Sequence, residues 1–599
     1  MTSKRIPDIR RAKRDLTGDR ITVGLATCGR SAGALPIFEK LESASEQGTL
    51  DLPVMQTGCI GMCHNEPIVT VYRDGKQEIY GNVTEEHIDK LISHISRSRR
   101  YTPLFLTDDL QSMEFYRKQH RMILSNCGLI DPSRLDHYLF NGGYEGLKRA
   151  LTMSREQVVE EIDKANLRGR GGAGFPTAKK WRFITGSDQK KYLICNGDEG
   201  DPGAFMNRTL MESDPFRILE GMTIGAYATG ASEGIIYTRA EYPLAIEMLE
   251  TAISKAYTAG FLGDDILGMP GFSFHIRIQK GAGAYVCGEE TALIRSVEGK
   301  RGTPRIRPPF PAQKGLFELP TVVNNVGTWG HVTEILSVGA DEYASVGSTH
   351  TRGTKILCLS GKIERTGVIE VPFGITLREI IYDIGGGLAH GHSFKALFPG
   401  GPAGGCITSD ELDYTLDYES MKELHTILGS GSFIITGDRS CMVNMAKYFL
   451  TFTTQESCGK CTPCREGTKR LLEMLSKVTR GVGHPDDIDE IEELARYISR
   501  NALCGLGQLA PNPVLSTIRH FREEYIAHLA KKRCPAHACE NLLRYRITDS
   551  CVGCGNCKRH CPVNAISGEL KGLHVIDQDT CIKCGKCYDN CAFDAIIKE

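Results

Sequence analysis

Apolar and polar positions alternate with different periods along the chain and predict several kinds of secondary structure. Residues 20–27 form a strand-like run, a helix is predicted over residues 34–42, and a second strand over residues 68–72. Between residues 126 and 340, short apolar runs alternate with helical patterns and many glycines, which is typical of an α/β domain. Residues 437–525 space their apolar side chains by about 3.6 positions and therefore predict a helical bundle.

Length and composition limit the possible functions. A chain of 599 residues is too long for one hydrophobic core, so several domains are expected. The net charge of -1 gives no electrostatic footprint for nucleic acid or for an anionic membrane. The sequence contains no apolar run long enough to span a bilayer. Its basic N-terminal segment is interrupted by acidic residues and does not predict a secretory signal.

The 23 cysteines change this picture. A disulfide scaffold is small and secreted, whereas this chain is large, so a reducing, cytoplasmic compartment is expected. In such a compartment, clustered cysteines are metal ligands more often than disulfides. The spacing of the cysteines then indicates which metal centres they hold.

The last 55 residues or so contain one cysteine pattern twice, and it is typical of a ferredoxin with two [4Fe–4S] clusters. Two-residue spacers let the chain curl around one cluster, and in bacterial ferredoxins the fourth cysteine of each run binds the other cluster. Zinc is the alternative, but it favours separated cysteine pairs. One departure is Ala592, which stands where the pattern has proline. The two predicted ligand sets are Cys551, Cys554, Cys557 and Cys591, and Cys581, Cys584, Cys587 and Cys561.

A third cysteine trio, Cys458, Cys461 and Cys464, precedes a helix predicted to begin near Arg465. A helix N-terminus and an arginine stabilise an anionic cluster, so a third [4Fe–4S] site is predicted, with Cys504 as the fourth ligand. A structural zinc ion is the alternative at this site.

The segment Cys534-Pro-Ala-His537-Ala-Cys539 offers two thiolates and an imidazole within six residues. These ligand types predict a zinc site at a domain hinge, for which Cys441 is a candidate fourth ligand. The alternative is a reduced pair of cysteines without a metal.

The run from Leu167 to Pro176 contains a formal G-x-G-x-x-G sequence. A dinucleotide fingerprint follows a strand, whereas the residues from Val158 to Ala165 have helical spacing, so the ordinary Rossmann interpretation fails. What remains is a loop of glycines whose backbone can approach a flat, anionic ligand closely.

Two more glycine-rich segments, residues 192–202 and 281–291, accompany this loop. With Arg305-Ile-Arg307-Pro-Pro-Phe310-Pro, Asn324-Asn325-Val and the third cysteine trio, they resemble the flavin-binding subunit of the NADH dehydrogenase module of respiratory complex I. The resemblance covers residues from about 125 to 525.

This resemblance implies that FMN and NAD(H) bind and that a hydride passes between them. No side chain is expected to act as an acid or base, because the cofactor performs the chemistry. Core packing is the alternative role for Phe183. The implied cofactor-binding residues are Gly169, Arg170, Gly171, Gly172, Phe175, Lys180, Phe183, Asn196, Asp198, Glu199, Gly200, Asp201, Tyr285, Gly288, Glu289, Glu290, Arg307, Phe310, Asn324 and Asn325.

Among these residues, Asp201 lies where the family has a carboxylate close to the nucleotide. A carboxylate near the adenosine ribose would repel a 2′-phosphate, so NAD is expected to be preferred over NADP.

The additional modules at both ends resemble the NAD-binding beta subunit of electron-bifurcating [FeFe]-hydrogenases. This implies three partners: a hydrogenase catalytic subunit, a small thioredoxin-like [2Fe–2S] subunit and ferredoxin. The alternatives are the flavin subunit of an NADP-reducing hydrogenase, of an NAD-dependent formate dehydrogenase or of a complex I-like NADH dehydrogenase. A scaffold that wires other subunits together and has a vestigial flavin site is a further alternative.

The N-terminal module resembles a thioredoxin-like [2Fe–2S] ferredoxin. Cys59 and Cys63 match its second ligand pair and Cys28 its first ligand, but Gly33 stands where a further cysteine is expected. A [2Fe–2S] cluster here is therefore held by three thiolates or does not form.

The expected fold is a multidomain α/β protein binding FMN, NAD(H) and three [4Fe–4S] clusters, with the [2Fe–2S] cluster and the zinc ion as open questions. The expected domains are a thioredoxin-like, ferredoxin-type domain (1–100), a linker (101–125), an α/β FMN- and NAD-binding domain (126–340), a small β-grasp-like domain (341–436), a helical [4Fe–4S] domain (437–530), a Cys/His hinge (531–545) and a two-cluster ferredoxin domain (546–599).

Overall fold

The computed structural model describes residues 6–598, and its N-terminal part is built around a five-stranded sheet. Residues 1–5 and 599, which belong to the first and last predicted domains, lie outside the described residues. The strands are β1 (Arg20–Gly24), β2 (Val54–Thr57), β3 (Val69–Arg73), β4 (Lys76–Tyr80) and β5 (Phe105–Thr107), in the order β2-β1-β3-β4-β5. The helices are α1 (Ile9–Thr17), α2 (Thr27–Ser31), α3 (Ala34–Glu46) and α4 (Glu85–Ile95).

The core of this domain follows from the periodicity of its elements. All five residues of β1 are buried, and α3 buries Ala34, Ile37, Leu41 and Ala44, which lie on one helical face. The predicted strand near residue 20, helix near residue 34 and strand near residue 68 are therefore confirmed, with ends shifted by one to four residues.

The segment 101–125, expected to be a linker, is instead packed into the protein. Its strand β5 pairs with β4, and a short helix, α5 (Glu114–Arg117), follows. Phe115 and Tyr116 are each 1% exposed, and the Tyr116 hydroxyl donates to the carbonyl of Ile60 at 2.8 Å. The polar composition of the segment concealed these few buried aromatic anchors.

The next domain surrounds a sheet of four parallel strands in the order β8-β7-β6-β9. The helices lie between the strands along the chain, which is the pattern expected of an α/β domain. The strands are β6 (Tyr192–Gly197), β7 (Glu233–Arg239), β8 (His275–Gly281) and β9 (Thr321–Asn325). The helices are α6 (Leu135–Phe140), α7 (Glu145–Leu151), α8 (Arg155–Lys164), α9 (Thr177–Thr185), α10 (Met206–Ser213), α11 (Pro215–Thr229), α12 (Pro243–Ala259), α13 (Glu290–Val297), α14 (Val326–Val338) and α15 (Ala340–Ala344).

A smaller mixed sheet with the order β11-β10-β13-β12 follows. Strand β10 pairs antiparallel with β11 and parallel with β13. The elements are β10 (Thr354–Gly361), β11 (Gly367–Pro372), a π-helical turn (Glu379–Ile384), β12 (Phe394–Pro399), α16 (Tyr418–Glu423) and β13 (Ser432–Gly437).

The remaining elements form a helical region and a small cysteine-rich module. The buried faces of the helices meet in one apolar core that also contains Cys441, Cys534 and Cys539. The helices are α17 (Met442–Gln455), α18 (Thr468–Thr479), α19 (Asp487–Asn501), α20 (Gly505–Leu509) and α21 (Asn512–Leu529), with a π-helical turn at Pro463–Gly467. The module contains β14 (Tyr545–Ile547), α22 (Asn556–Arg559), β15 (Ile566–Ser567), β16 (Val575–Ile576), α23 (Lys586–Asp589) and β17 (Ile596–Lys598).

The chain divides into two units. The first holds the residues up to Gly391 and Ala396–Ile435, and the second holds His392–Lys395 and the chain from Thr436 onward. Within the described residues, every helix is too short or too polar to cross a bilayer. The fold is thus multidomain α/β, as expected.

Candidate functional site

The order of the parallel strands places a topological switch point at the carboxyl ends of the four-stranded parallel sheet, and we refer to the region around it as the pocket. From β6 the chain passes to β7 and β8 on one side, and then returns to add β9 on the other side of β6. Ligands of open α/β sheets bind at the carboxyl ends of strands where the winding reverses in this way. Here the reversal lies between β6, which ends at Gly197, and β9, which ends at Asn325.

The glycine loop lies against this switch point and is shaped by its backbone. It follows α8, which confirms that a helix and not a strand precedes it, and it is closed by a hydrogen bond from Gly169 N–H to the carbonyl of Phe175 at 2.9 Å. A Cβ atom on Gly171 would lie 3.1 Å from Cβ of Asn325. Gly172 has φ +116°, and a Cβ there would lie 2.9 Å from the backbone of Gly429. Larger residues would fill this cradle, so the loop fits a flat cofactor approaching the backbone.

A helix N-terminus faces the same switch point. Helix α14 begins directly after β9, and Asn325 caps it by accepting a hydrogen bond from Gly327 N–H at 2.9 Å. Lys180 donates to the carbonyl of Val323 in β9 at 2.9 Å. A helix N-terminus with a nearby ammonium group is a ready site for an anionic group such as the phosphate of FMN.

Two carboxylates after β6 are held within the protein. Glu199 is 4% exposed and accepts hydrogen bonds from the backbone N–H groups of Asn207 and Arg208 at 2.9 and 3.0 Å, at the start of α10. Burial raises the pKa of Glu199 to about 7. Asp201 accepts a hydrogen bond from the Ser430 hydroxyl at 2.5 Å, and burial raises its pKa also.

The glutamate pair after β8 divides into two roles. Glu289 caps α13 by accepting hydrogen bonds from the N–H groups of Thr291 and Ala292 at 3.0 Å each. Glu290 forms ion pairs instead: Arg307 Nη1 lies 2.9 Å and Lys180 Nζ lies 3.6 Å from its carboxylate. Glu290 thus joins α9, which carries Lys180, to the loop that carries Arg307 and Phe310, and Glu289 lies 4.0 Å from the same Arg307 Nη1 atom.

The three phenylalanines expected to pack on the dinucleotide are exposed. Phe175, Phe183 and Phe310 have 40%, 57% and 51% of their surface accessible. Core packing of Phe183, the alternative raised by the sequence, is therefore wrong. Exposed aromatic faces beside a pocket are suited to stacking on adenine or nicotinamide.

Several residues expected around FMN act instead by shaping the pocket. The guanidinium of Arg170 donates to the carbonyls of Thr354, Arg168 and Arg352 and to the Tyr343 hydroxyl, so its side chain is held by the protein. Asn196 links two loops by donating to the carbonyl of Gly288 at 3.0 Å.

The remaining expected cofactor residues are also placed by their neighbours. Asn324 is 6% exposed. The Asp198 side chain is fully buried, 3.7 Å from Arg239 Nη1. A Cβ on Gly200 would lie 3.0 Å from the ring of Tyr285.

Sequence reasoning missed two groups beside the pocket. Arg239 ends β7 at the same sheet edge, and strand ends were the signal that could have found it. Lys355 is fully buried and donates to the carbonyls of Arg170 and Ser430, which ties the glycine loop to the smaller sheet. Burial lowers the pKa of Lys355 to about 7. No motif marks Lys355, because it acts through backbone atoms distant in sequence.

In the second unit, the cysteine-rich module contains two cavities. One is lined by Cys551, Cys554, Cys557 and Cys591, and the other by Cys561, Cys581, Cys584 and Cys587. Each cavity thus combines three cysteines of one run with the last cysteine of the other run. The antiparallel pairing of β14 with β17 brings the two ends of the module together, and thiolates lining a cavity fit a [4Fe–4S] cluster.

The third cysteine trio lies near Cys504, its expected fourth ligand. Cys458, Cys461 and Cys504 are close enough to Cys464 for their charges to raise its pKa, although burial is the larger cause, and the pKa reaches about 11. The backbone N–H of Leu503 points to Cys461 Sγ at 3.5 Å, and Arg465 donates to the carbonyl of Gly459 at 2.7 Å. Four thiolates with nearby donors fit an anionic cluster.

The expected zinc ligands form a tight group, except that His528 takes the place of His537. Cys441, Cys534 and Cys539 are joined by His528 of α21, and the four donor atoms lie within 4.8 Å of one another. His537, the expected imidazole, is outside this group. It lies in a turn closed by its own N–H to the carbonyl of Cys534 and has φ +50°. The donor from α21 could not be found from local spacing.

The geometry of this group fits a single tetrahedral ion. Zinc bonds of about 2.0 Å to nitrogen and 2.3 Å to sulfur place ligand atoms about 3.5 to 3.8 Å apart. His528 Nε2 lies 3.4 Å from Cys441 Sγ and 3.3 Å from Cys539 Sγ, and the two sulfurs are 3.7 Å apart. His528 Nδ1 donates to the carbonyl of Glu524 at 2.6 Å, which leaves Nε2 as the ligand atom.

A second tight group in the first unit contains three thiols. Cys28, Cys59 and Cys63 place their sulfurs within 4.8 Å of one another, and among the described residues no carboxylate or imidazole joins the three at that distance. A Cβ on Gly33 would have no atom within 4 Å, so no sulfur borders that position. The donor set fits an iron–sulfur cluster on three sides.

A cradle for a flat phosphorylated cofactor and several cysteine-lined sites in one chain define a flavin- and iron–sulfur-binding oxidoreductase. Three family models match it: the Nuo51 FMN-binding domain over residues 162–334, the NADH-ubiquinone oxidoreductase-F iron–sulfur binding region over 444–528, and a 4Fe-4S dicluster domain over 550–596.

Known proteins agree with these models. The NADP-reducing hydrogenase subunit HndC of Solidesulfovibrio fructosivorans is 52% identical over 76% of this chain and 94% of its own length. The NADH-quinone oxidoreductase F 2 subunit of Rhizobium meliloti is 43% identical over 69% of this chain and 99% of its own. A chain of the NAD+-reducing [NiFe]-hydrogenase crystal structure in the H2-reduced state matches with a TM-score of 0.61 and 30% identity, covering 85% of this chain and 84% of that one.

The chain therefore belongs to the family that contains the F subunits of NADH-quinone oxidoreductases and the hydrogenase subunit HndC. It is an NADH dehydrogenase-type flavoprotein subunit of an oxidoreductase complex, and it binds FMN and [4Fe–4S] clusters.

Proposed function

We propose that the chain exchanges a hydride between NAD(H) and FMN and delivers electrons singly, through its clusters, to the other subunits of an electron-bifurcating hydrogenase. The observation that carries the proposal is the occurrence, in one chain, of a glycine cradle at a sheet switch point and of three four-cysteine sites. When bound, FMN supplies the chemistry, because a flavin takes up two electrons together and can release them one at a time.

The residues of the chain bind and orient. The glycine loop and the start of α14 hold the flavin and its phosphate, with Lys180 nearby. The exposed faces of Phe175, Phe183 and Phe310 grip the dinucleotide. No side chain transfers a proton, since hydride exchange needs only the correct approach of two rings.

The clusters receive the electrons of the flavin singly and pass them to partner subunits. The ligands of the three [4Fe–4S] clusters are the two cavity sets of the cysteine-rich module and the set of Cys458, Cys461, Cys464 and Cys504. A [2Fe–2S] cluster at Cys28, Cys59 and Cys63 adds a further centre. The Cys441–His528–Cys534–Cys539 group holds zinc, which stabilises the segment before the cysteine-rich module.

Two carboxylates bear on nucleotide choice, the expected Asp201 and Glu290. Asp201 accepts a hydrogen bond from the Ser430 hydroxyl, and Glu290 lies beside the cations Arg307 and Lys180. We infer that these two negative charges make NAD the preferred nucleotide by disfavouring a 2′-phosphate. A relative named as NADP-reducing makes NADPH the competing substrate to test.

The partners are a hydrogenase catalytic subunit, a small thioredoxin-like [2Fe–2S] subunit and ferredoxin. The names of the hydrogenase relatives support this choice, and the F subunits of NADH-quinone oxidoreductases make a complex I-like enzyme the alternative to test. The extra ferredoxin-type module, with Cys554 and Cys584 exposed, offers a port for electrons.

Anaerobic purification of the chain with its partners tests the proposal. We expect one FMN per chain, reduction of a viologen dye by NADH, and hydrogen evolution by the co-purified complex. Clusters without flavin in folded protein would make the chain an electron-transfer scaffold. Formate-dependent reduction of NAD+ without hydrogen evolution would assign the chain to a formate dehydrogenase instead.

A further inference from the structure

The three-thiol group of the N-terminal domain lies against a helix of the flavin domain. Helix α10 runs from Met206 to Ser213, and its last residue accepts a hydrogen bond from Cys59 N–H at 3.1 Å. A Cβ on Gly58 would lie 2.3 Å from the Ser213 side chain, so the two backbones are in close contact. The wall of the cysteine site is thus built by two domains within the first unit.

Arg208 of this helix reaches the cysteines. Its Nη2 atom lies 3.7 Å from Cys28 Sγ, and its side chain is 20% exposed. Its Nε atom is buried and has no hydrogen-bond partner among the described residues. Tyr242 and Phe205 flank the guanidinium, with ring centroids 5.6 and 5.4 Å from Cζ. The cation therefore lies near two aromatic rings and within reach of the Cys28 sulfur.

Glu212, one turn further along α10, contacts both Arg208 and Thr27, the residue before Cys28. Its carboxylate accepts hydrogen bonds from the N–H and hydroxyl of Thr27 at 2.8 and 2.6 Å. The same carboxylate lies 3.8 Å from Arg208 Nε. Glu212 thus joins the segment that carries Cys28 to the helix that carries Arg208.

Arg208 also connects the cysteine site to the flavin pocket. Its backbone N–H donates to the carboxylate of Glu199, which lies in the segment expected to border FMN. One short helix therefore joins a flavin-pocket carboxylate at its start to a thiolate group along its length.

We propose that Arg208 completes the three-cysteine site as its fourth, non-cysteine side, so that the centre held by Cys28, Cys59 and Cys63 is built jointly by two domains. The proposal rests on the [2Fe–2S] cluster of the proposed function. A guanidinium remains protonated and donates several hydrogen bonds, so it compensates the charge of the thiolates and sulfides. A reduced cluster carries one more negative charge than an oxidised one. Arg208 therefore favours the reduced form and raises the potential of the centre.

A competing group of opposite charge is Glu66. It is 7% exposed, and one carboxylate oxygen accepts a hydrogen bond from Ile68 N–H at 3.1 Å. Its carboxylate does not come within 4.8 Å of all three sulfurs. A negative charge there would lower the potential, the opposite of the effect of Arg208, so the two residues can be distinguished.

The test compares Arg208→Gln, Arg208→Lys, Glu66→Gln and Cys59→Ser in the anaerobically purified complex. Iron, acid-labile sulfide, FMN, the electron paramagnetic resonance spectrum and the midpoint potential of the two-iron centre are measured. Arg378→Gln, which removes a guanidinium paired with Asp413, is the matched control.

Cys59→Ser should remove about two iron atoms per chain. Arg208→Gln should keep FMN, because only its backbone contacts Glu199, and should lower the potential or release the cluster. Arg208→Lys should retain the cluster with a smaller shift, which separates loss of charge from failure to fold. Arg378→Gln should match the wild type.

An unchanged spectrum and potential in Arg208→Gln would overturn the role of Arg208 while leaving the cluster intact. A rise in potential in Glu66→Gln with no change in Arg208→Gln would overturn it as well, because Glu66 and not Arg208 would then set the potential. If Cys59→Ser loses no iron and keeps the wild-type electron paramagnetic resonance spectrum, Cys59 binds no cluster, and both this inference and that part of the proposed function are wrong.

Discussion

The flavin pocket and the metal sites of the second unit are built from different parts of the polypeptide. The pocket is lined by backbone: glycines at the loop, strand ends, and the start of α14. The metal sites are lined by side chains, with cysteines around each cavity and around His528. A backbone site is therefore damaged by adding atoms, whereas a side-chain site is damaged by removing them.

The largest effect that this comparison predicts comes from removing the cysteine-rich module. Deletion of residues 546–599 should abolish ferredoxin- or hydrogen-coupled turnover and remove about eight iron atoms, two clusters of four. Reduction of viologen by NADH should continue, because the flavin pocket lies in the other unit. Iron analysis and both activity assays check this. A truncated protein that keeps its flavin but no longer oxidises NADH would show that the module is integral to the hydride site.

The second prediction adds one methyl group to the backbone site. Gly172→Ala should weaken FMN binding by about 10- to 100-fold, since strain at a positive φ and a close contact cost about 1–3 kcal/mol. The contact is with the backbone of Gly429 at 2.9 Å, which cannot move as a side chain can.

Gly142→Ala is the matched control for this variant. Gly142 also has a positive φ, +85°, but a Cβ there meets no atom within 4 Å. Flavin content by absorbance after gel filtration distinguishes the two variants. Equal flavin loss in both would show that local strain, not the cradle, determines binding.

The third prediction removes one side chain from a metal site. His528→Ala should lose the zinc ion and lower the melting temperature of the second unit by several degrees, because structural zinc contributes folding free energy. His537→Ala, outside the four-donor group, should keep both. Metal analysis and calorimetry provide the measurements. Loss of zinc in His537→Ala alone would restore the ligand first expected from the sequence.

The same comparison explains how far the sequence predicts this molecule. The ligand sets of the two cavities could be written down from the repeated spacing, because three cysteines of each run bind one cluster and the fourth binds the other. His528 could not be predicted in this way, because the six-residue segment from Cys534 to Cys539 already contains an imidazole, that of His537. Only the packing of α21 shows that the imidazole of His528 lies nearer to the three cysteines.

In the flavin domain, the sequence identified the segments that surround the cofactor site but not the contacts that each side chain makes. Arg170, Asn196 and Glu289 were expected near the cofactor, yet their polar groups hold the protein itself in shape. Lys355 and Arg208 act through contacts about 180 positions apart along the chain, and only the folded structure brings those partners together. Long-range contacts of this kind leave no local pattern.

The smallest predicted effect concerns Glu290, the carboxylate that faces both Arg307 and Lys180. Glu290→Gln removes the charge that Arg307 and Lys180 face at 2.9 and 3.6 Å. We expect the KM for NADH to rise by about tenfold with kcat changed by about twofold or less, because binding is lost equally from ground and transition states. The ratio of kcat/KM for NADPH to that for NADH should rise, since a 2′-phosphate then meets one negative charge fewer. Glu250→Gln, an exposed carboxylate paired with Lys280, should leave both values unchanged. A large fall in kcat at constant KM would instead place Glu290 in the hydride step, and the pocket would then depend on a side chain as strongly as the metal sites do.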